Sequence, residues 1–209
     1  MRSVLVTGFE PFAGQRVNPS QLAVEAIAGR TIAGRRIETA ILPVVFGDAT
    51  AALRRAVRRH RPELVICVGE AGGRAEITVE RVAINVDDAR IADNAGARPI
   101  DRAIARRGPA AYWSTLPIKA IVAALARRDI PAAVSQTAGT FVCNHVFYGL
   151  MRTLARRRGV RGGFIHVPFV RGQGTPSLPL ATIVDGLALA IATALRVRRE
   201  TRATGGAEH

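Results

Sequence analysis

The sequence has little cysteine and no hydrophobic run long enough to cross a membrane. Its 209 residues include only two cysteines, which argues against a disulfide scaffold. The longest apolar run, residues 186–195, is well short of the roughly 20 residues that a membrane-spanning helix requires. The apolar run within residues 1–8 is too short for a signal peptide and is typical of a buried strand. We therefore expect a cytoplasmic protein.

Several motifs of metal, serine and nucleotide chemistry are also absent. The chain has four histidines, no His-Glu-x-x-His and no Cys-x-x-Cys, which argues against a zinc site. It has no Gly-x-Ser-x-Gly elbow, which disfavours a serine hydrolase. The glycine-rich loop 69–73 follows an apolar strand, as a phosphate loop would, but has neither Gly-x-Gly-x-x-Gly nor Gly-Lys-Ser/Thr. We expect no metal or cofactor, and a nucleotide- or phosphate-binding protein remains an alternative.

The chain carries a large excess of positive charge. Thirty Lys and Arg against 16 Asp and Glu give a net charge of +14, and Lys119 is the only lysine. Such an excess makes a basic nucleic-acid-binding module a second alternative. The arginine clusters, however, are spread along the chain at intervals typical of the polar faces of helices, at 54/55, 58/59, 106/107, 127/128 and 156–158. We therefore expect a solvated basic surface and no nucleic-acid partner.

The pattern of apolar residues predicts the fold class. Strand-like runs alternate with helix-like runs, which is typical of an α/β three-layer sandwich: a mostly parallel, twisted sheet with helices on both faces. The strand-like runs are 3–7, 37–42, 63–68, 132–135 and 162–167, and the helix-like runs are 19–28, 48–60, 117–128, 142–157 and 179–197. The length favours a single domain over residues 1–198, followed by a disordered tail over 199–209.

Two regions do not follow the alternation of strand-like and helix-like runs. The β-rich pieces at 77–80 and 82–85 are expected to form a hairpin or a pair of edge strands. Residues 87–116 have few periodic apolar positions, which predicts a long loop over one end of the sheet. Long loops in compact domains are often functional.

Cys143 is the candidate nucleophile. It lies where a β-branched strand stops, small residues turn the chain and a helical pattern begins. The unpaired N–H groups and positive dipole of a helix start favour thiolate over thiol. A buried structural cysteine is the alternative. Cys67, inside the apolar strand 64–68, is expected to be inert.

A cysteine nucleophile requires a base and a group that orients the base. Of the four histidines, His166 fits best, since it ends a predicted strand beside the turn that contains Cys143. His145 lies two residues beyond Cys143 and points to another helix face. His60 ends an Arg-rich helix, and His209 is in the tail. Spacing cannot rank the carboxylates near strand ends, namely Glu10, Glu70, Glu76, Glu80, Asp87, Asp88 and Asp93.

These segments together resemble the pyroglutamyl-peptidase I family of cysteine peptidases, also called pyrrolidone-carboxylate peptidases. The resemblance spans nearly the whole chain and rests on five segments, namely 6–12 (Val-Thr-Gly-Phe-Glu-Pro-Phe) with 18–20 (Asn-Pro-Ser), 72–74 with 80–85 (Glu-Arg-Val-Ala-Ile-Asn), 88–91 with 93–94, the Cys143 segment, and 166–168 (His-Val-Pro). It implies a metal-independent thiol protease that hydrolyses the N-terminal pyroglutamyl residue from peptides through a thioester. It also implies a homo-oligomer, commonly a tetramer.

The resemblance assigns roles to individual residues. It implies a catalytic set of Cys143, His166 and Glu80, supported by Arg90 near the nucleophile. It also places Asn18 in a supporting position.

The implied substrate site is an aromatic slot for the flat, uncharged lactam ring, formed by Phe9, Phe12 and Phe141. Glu70 belongs to the same substrate site and departs from the family, since bacterial relatives often carry Gln there. A carboxylate at that position is expected to raise the pKa of the thiol, unless Glu70 is protonated or paired, for example with Arg74.

Overall fold

The computed structural model describes residues 3–200 and 202–206. Its strands are β1 (Ser3–Phe9), β2 (Thr31–Ile32), β3 (Arg35–Leu42), β4 (Leu64–Glu70), β5 (Ile77–Glu80), β6 (Val82–Ile84), β7 (Ala111–Trp113), β8 (Ala132–Ser135), β9 (Arg161–Val167), β10 (Phe169–Val170) and β11 (Ser177–Leu178). Seven strands form the central sheet in the order β2-β3-β1-β4-β9-β5-β8. The pairs β3-β1, β1-β4, β4-β9 and β5-β8 are parallel, which confirms the predicted mostly parallel sheet.

Helices cover both faces of this sheet. They are α1 (Pro19–Ile27), α2 (Asp48–His60), α3 (Ile118–Ala126), α4 (Val142–Leu154) and α5 (Leu180–Arg196). Apolar side chains of α1, α3 and α5 form one core cluster with one face of the sheet, and those of α2 and α4 form another with the opposite face. The three-layer sandwich is therefore confirmed, with helix ends displaced by up to three residues from the predicted bounds.

Strand β4 is apolar from Leu64 to Val68 because both of its faces are covered. In β4, Ile66 and Val68 pack in the cluster with α1, α3 and α5, whereas Val65 and Cys67 pack in the cluster with α2 and α4. Successive side chains of a strand point to opposite faces, so a strand buried on both sides reads as a continuous apolar run.

The expected hairpin of 77–80 and 82–85 is wrong. Strand β5 lies inside the main sheet, antiparallel to β9 and parallel to β8. Strand β6 pairs instead with β7 in a separate two-stranded sheet. The sequence pattern detected both strands but not their partners, because pairing is set by tertiary contacts and not by local periodicity.

The loop between 87 and 116 and the C-terminal segment are partly ordered by specific contacts. The loop contains the bridge between Asp87 and Arg102 as well as strand β7. Near the C-terminus, the Glu200 carboxylate accepts hydrogen bonds from the first backbone N–H groups of α3. The disordered tail over 199–209 stays a prediction, and residues 201 and 207–209 lie outside the described residues. Within the part of the chain that the structure describes, no helix is long and apolar enough to span a bilayer.

Candidate active site

Glu80 and His166 come together because β5 and β9 are antiparallel neighbours. The register pairs Thr78 with His166, so Thr78, Glu80 and His166 all point to the face covered by α4. His166 Nδ1 lies 2.8 Å from Glu80 Oε1, and both side chains are buried. Since the carboxylate accepts a hydrogen bond from Nδ1, the proton of a neutral imidazole lies on Nδ1, and Nε2 is left as the basic nitrogen.

Arg74 compensates the buried negative charge of Glu80. Its Nη1 donates to Glu80 Oε1 at 2.9 Å and to Thr78 Oγ1 at 2.6 Å. Its Nη2 donates to the carbonyl oxygen of Thr137 at 3.2 Å. A buried carboxylate is costly without such a partner. Glu80 Oε2 has no hydrogen-bond partner among the described residues.

Cys143 lies in the first turn of α4, directly over the end of β4. No side chain caps the start of α4 at Phe141, so the backbone N–H groups of its first turn lack a side-chain partner. A Cβ on Gly69 would lie 2.8 Å from Cys143 Sγ and 2.9 Å from the ring of Phe164. Gly69 is the register partner of His166, so the sulfur approaches the backbone of β4 beside the imidazole.

Burial opposes ionisation of this thiol. Desolvation, followed by the negative charges of Glu80 and Glu70, raises the pKa of Cys143 to about 12, while Arg74 lowers it. The expectation that the helix start favours the thiolate is not met, because burial and the two carboxylates act in the opposite direction. Burial also raises the pKa of Cys67 to about 12, which agrees with an inert core cysteine.

A narrow apolar slot adjoins the sulfur. Its volume is about 20 Å³, and it is lined by Phe9, Phe12, Asn18, Val44, Glu70, Phe141, Val142 and Cys143. The rings of Phe12 and Phe141 are 6.2 Å apart, and Phe46 meets Phe141 edge-on at 5.4 Å. A space of about this size holds roughly one water molecule. A larger ring enters only if the side chains at the mouth separate.

Glu70 is paired differently from the sequence-based expectation. Gln173 Nε2 donates to Glu70 Oε2 at 2.9 Å, whereas Arg74 is engaged by Glu80. Burial raises the pKa of Glu70, and the Gln173 bond lowers it. Gln173 lies beyond β10, 103 residues from Glu70, and no sequence signal indicated this contact.

Asn18 caps helix α1 and fixes the turn beside the slot. Its Oδ1 accepts from the Ser20 backbone N–H at 3.0 Å and from Ser20 Oγ at 2.7 Å. Its Nδ2 donates to the Glu10 carbonyl oxygen at 3.0 Å. These contacts join the segment that follows β1 to the first turn of α1.

The structure does not join Arg90 to the Cys143, His166 and Glu80 group. Arg90 is exposed and lines a separate surface concavity with Asp88, Ala89, Arg98, Ile100 and Thr140. Arg74 is the guanidinium that contacts Glu80. Spacing in the sequence did not rank Arg74 above other loop arginines, because the burial of Glu80 beside His166 depends on the pairing of β5 with β9.

His145 belongs to a second histidine–carboxylate pair that faces away from the thiol. Its Nδ1 lies 3.0 Å from both oxygens of Asp87, and its Nε2 accepts from the Gly47 N–H at 3.1 Å. Both ring nitrogens are thus engaged, which agrees with the exclusion of His145 as the base. Within the described residues, no group of three or more His, Cys, Asp or Glu side chains is arranged to hold a metal ion.

Comparison with known proteins gives consistent matches over nearly the whole chain. The model of the pyroglutamyl peptidase family matches residues 2–197. A pyrrolidone-carboxylate peptidase of Cupriavidus taiwanensis is 57% identical over 216 residues, with 100% of both chains covered. The crystal structure of Bacillus amyloliquefaciens pyroglutamyl peptidase I has a TM-score of 0.93 and 48% identity, covering 96% of this chain and 100% of that one. Pyrrolidone carboxyl peptidase from Thermococcus litoralis has a TM-score of 0.90 and 37% identity, covering 94% of each chain.

Proposed function

The chain belongs to the pyroglutamyl peptidase family, and we propose that it hydrolyses the N-terminal pyroglutamyl residue from peptides with Cys143 as nucleophile. The observation that carries the site assignment is the position of Cys143 Sγ over Gly69, whose register partner on β9 is His166. His166 is in turn bonded to Glu80. A nucleophile, a base and an orienting acid in this order are the elements of cysteine peptidase chemistry.

The reaction begins with transfer of the thiol proton. Because burial raises the pKa of Cys143 to about 12, the sulfur is activated during attack and not by standing ionisation. His166 Nε2 accepts the proton while Sγ bonds to the carbonyl carbon of the pyroglutamyl residue. Glu80 holds the imidazole and stabilises the imidazolium that forms.

The tetrahedral intermediate collapses to a thioester. His166 gives its proton to the leaving amine as the C–N bond breaks, and the shortened peptide departs. A water molecule then loses a proton to the imidazole and attacks the thioester carbonyl. The C–S bond breaks, pyroglutamic acid is released, and the proton returns to the sulfur of Cys143.

The start of α4 supplies candidate donors for the oxyanion. The backbone N–H groups of Cys143 and Asn144 belong to the first turn, where no side chain caps them. Donors of this kind are effective because they are fixed before charge develops on the substrate oxygen. Backbone N–H groups of the loop 69–73 are further candidates.

The aromatic slot supports selection of the lactam. The five-membered ring is flat and uncharged, so it suits the space between Phe9, Phe12 and Phe141. An unmodified N-terminus carries an ammonium, whose desolvation costs several kcal/mol when it is unpaired. Because the empty slot holds only about 20 Å³, we propose that Phe12 and Phe141 move apart when substrate enters.

The decisive experiment is hydrolysis of a pyroglutamyl arylamide. We expect turnover by the wild type, its loss in Cys143→Ala and after iodoacetamide, and no effect of chelators. The glutaminyl arylamide, which has an open N-terminus, is the matched control and should be a much poorer substrate. Absence of turnover in the folded wild type, or full activity of Cys143→Ala, would contradict the proposal.

We also propose that the protein acts in the cytoplasm as a homo-oligomer, a tetramer by resemblance. Trp113 and Ile100 are large apolar side chains with 69% and 76% of their surface exposed, which supports a subunit contact. Sedimentation of the wild type should give a mass above that of one chain. Trp113→Asp should lower that mass if β7 lies in the contact.

A further inference from the structure

The C-terminal halves of α2 and α4 form a groove lined by arginines. An open concavity of about 400 Å³ lies between them, and its lining residues, here called the arginine groove, are Arg54, Arg58, Arg152, Thr153, Arg156 and Arg157. The two helices pack against the same face of the sheet. The groove therefore brings together arginines that are about 100 positions apart in the sequence.

No acidic side chain in the described part of the chain lines the groove to balance these charges. The groove has no carboxylate in its lining. Across the described residues, each ion pair or side-chain hydrogen bond made by an arginine involves one outside the groove, such as Arg35, Arg74 or Arg161. A neighbouring concavity lined by Arg35, Arg161, Arg196 and Arg198 differs, because it contains Glu63. Five guanidiniums at one place without a counter-charge repel one another, and a bound anion relieves that repulsion.

The fold explains only part of this accumulation. Basic side chains near a helix C-terminus interact favourably with the last carbonyl groups, and α2 and α4 both end here. Each helix end has a partial charge of only about half a unit. Two such ends therefore offset about one unit of the five positive charges.

The lining also indicates the chemistry of the ligand. Guanidinium groups bind phosphate oxygens through paired N–H donors. Single-stranded nucleic acid and nucleotides additionally require aromatic surfaces on which bases stack, and the groove has none. The Thr153 hydroxyl donates to the Gly149 carbonyl, so the guanidiniums supply the free donors. Arg54 and Arg58 are one helical turn apart, about 6 Å, which matches a short anion better than a long polymer.

We propose that the arginine groove is a binding site for a compact inorganic oligophosphate. The site lies at the opposite end of α4 from the candidate active site, because Cys143 is in the first turn of α4, whereas Arg152 is in its last turn and Arg156 follows its end. Thirteen residues separate Cys143 from Arg156, a helical distance of about 20 Å. The proposal therefore does not depend on the peptidase activity.

The test is titration of the full-length protein with tripolyphosphate at constant ionic strength, followed by calorimetry and by the thermal midpoint. We expect one saturable site, weakened about tenfold or more in Arg54→Gln/Arg58→Gln/Arg156→Gln. The control is Arg55→Gln/Arg59→Gln/Arg158→Gln, which removes the same charge from positions that do not line the groove. It should bind within about twofold of the wild type, since only general screening changes.

Four outcomes would overturn the proposal. One is the absence of saturable binding by the wild type, and another is equal weakening in both triple variants, which would show attraction by net charge alone. The third is an oligonucleotide that displaces tripolyphosphate at lower concentration, which would assign the groove to nucleic acid. If the groove variant changes only the sedimenting mass and not the binding, the arginines serve a subunit contact and the proposal also fails.

Discussion

Arg74 lies 2.9 Å from Glu80, on the same carboxylate oxygen that His166 contacts. His166, the base of the candidate site, and Arg74, the cation that balances the charge of Glu80, therefore contact the same oxygen atom, Glu80 Oε1. This arrangement distributes the charge of Glu80 between a permanent cation and an imidazole that becomes cationic only during catalysis.

Replacement of Arg74 is predicted to raise the pKa of the Cys143 thiol and to lower activity. Arg74 lowers the pKa of Cys143, so Arg74→Gln should raise that pKa further and reduce kcat/KM by about tenfold. Alkylation by iodoacetamide across a pH series measures the shift directly, as a midpoint at higher pH. Arg90→Gln is the comparison variant, because Arg90 lines a separate surface concavity and should have the smaller effect. A larger loss in Arg90→Gln would support the role that the family resemblance implies.

Replacement of Glu80 by Gln tests the orienting acid. The amide oxygen can accept from His166, but the amide nitrogen would then occupy the position of Oε2, which has no partner. With the negative charge lost as well, kcat should fall by about 10²-fold to 10⁴-fold. Steady-state kinetics measure this, and near-native circular dichroism confirms folding. Asp87→Asn, in the other histidine–carboxylate pair, should instead act mainly on thermal stability.

Glu70→Gln is predicted to change the pH dependence in a known direction. The charge of Glu70 raises the pKa of Cys143, so its removal should move the midpoint of thiol alkylation to lower pH. The same variant keeps an oxygen that accepts from Gln173. An unchanged midpoint would show that Glu70 is already neutral in the wild type.

The stability of Glu70→Gln should also depend on pH. Burial raises the pKa of Glu70 in the folded state, so its contribution to stability is present below the unfolded-state pKa and is lost as pH rises through the folded-state value. The variant should therefore be more stable than the wild type at neutral pH and lose that advantage in acid. Urea denaturation at both pH values measures the two free energies of unfolding.

Gly69→Ala is predicted to displace the nucleophile. The new methyl group would lie 2.8 Å from Cys143 Sγ, so the sulfur or the ring of Phe164 must move. We expect loss of most activity together with about 1–3 kcal/mol of stability, the usual cost of an overpacked site. Gly162→Ala is the matched control, since its methyl group meets Leu154 and Val65 at the opposite edge of the sheet. It should cost stability while the reactivity of Cys143 stays near that of the wild type.

The sequence predicted much of the fold because its strongest signals are local. Apolar runs rich in β-branched residues identify β1 and β4, since strands covered on both faces bury most of their side chains. The placement of Cys143 and His166 near one edge follows from the same alternation of strands and helices. The motif resemblance, and not spacing, singled out Glu80.

The remaining features depend on long-range contacts. Glu80 contacts His166 only because β5 pairs with β9, and Gln173 meets Glu70 across 103 residues. Neither contact corresponds to a periodic pattern of residues in the sequence. The raised pKa of Cys143 was expected only in part, because the sequence placed Glu70 near the thiol but did not show how deeply the thiol is buried.

The antiparallel direction of β5 has a consequence for how the site can change. It places Glu80 next to the imidazole of His166 within the sheet. Several residues of the slot, such as Phe12 and Val44, lie instead in connecting segments. The base His166 and its orienting acid Glu80 thus lie on strands of the sheet, whereas part of the slot for the substrate ring lies in segments that tolerate replacement. Redesign of those segments for a different cyclic N-terminal group should leave the acid–base machinery undisturbed.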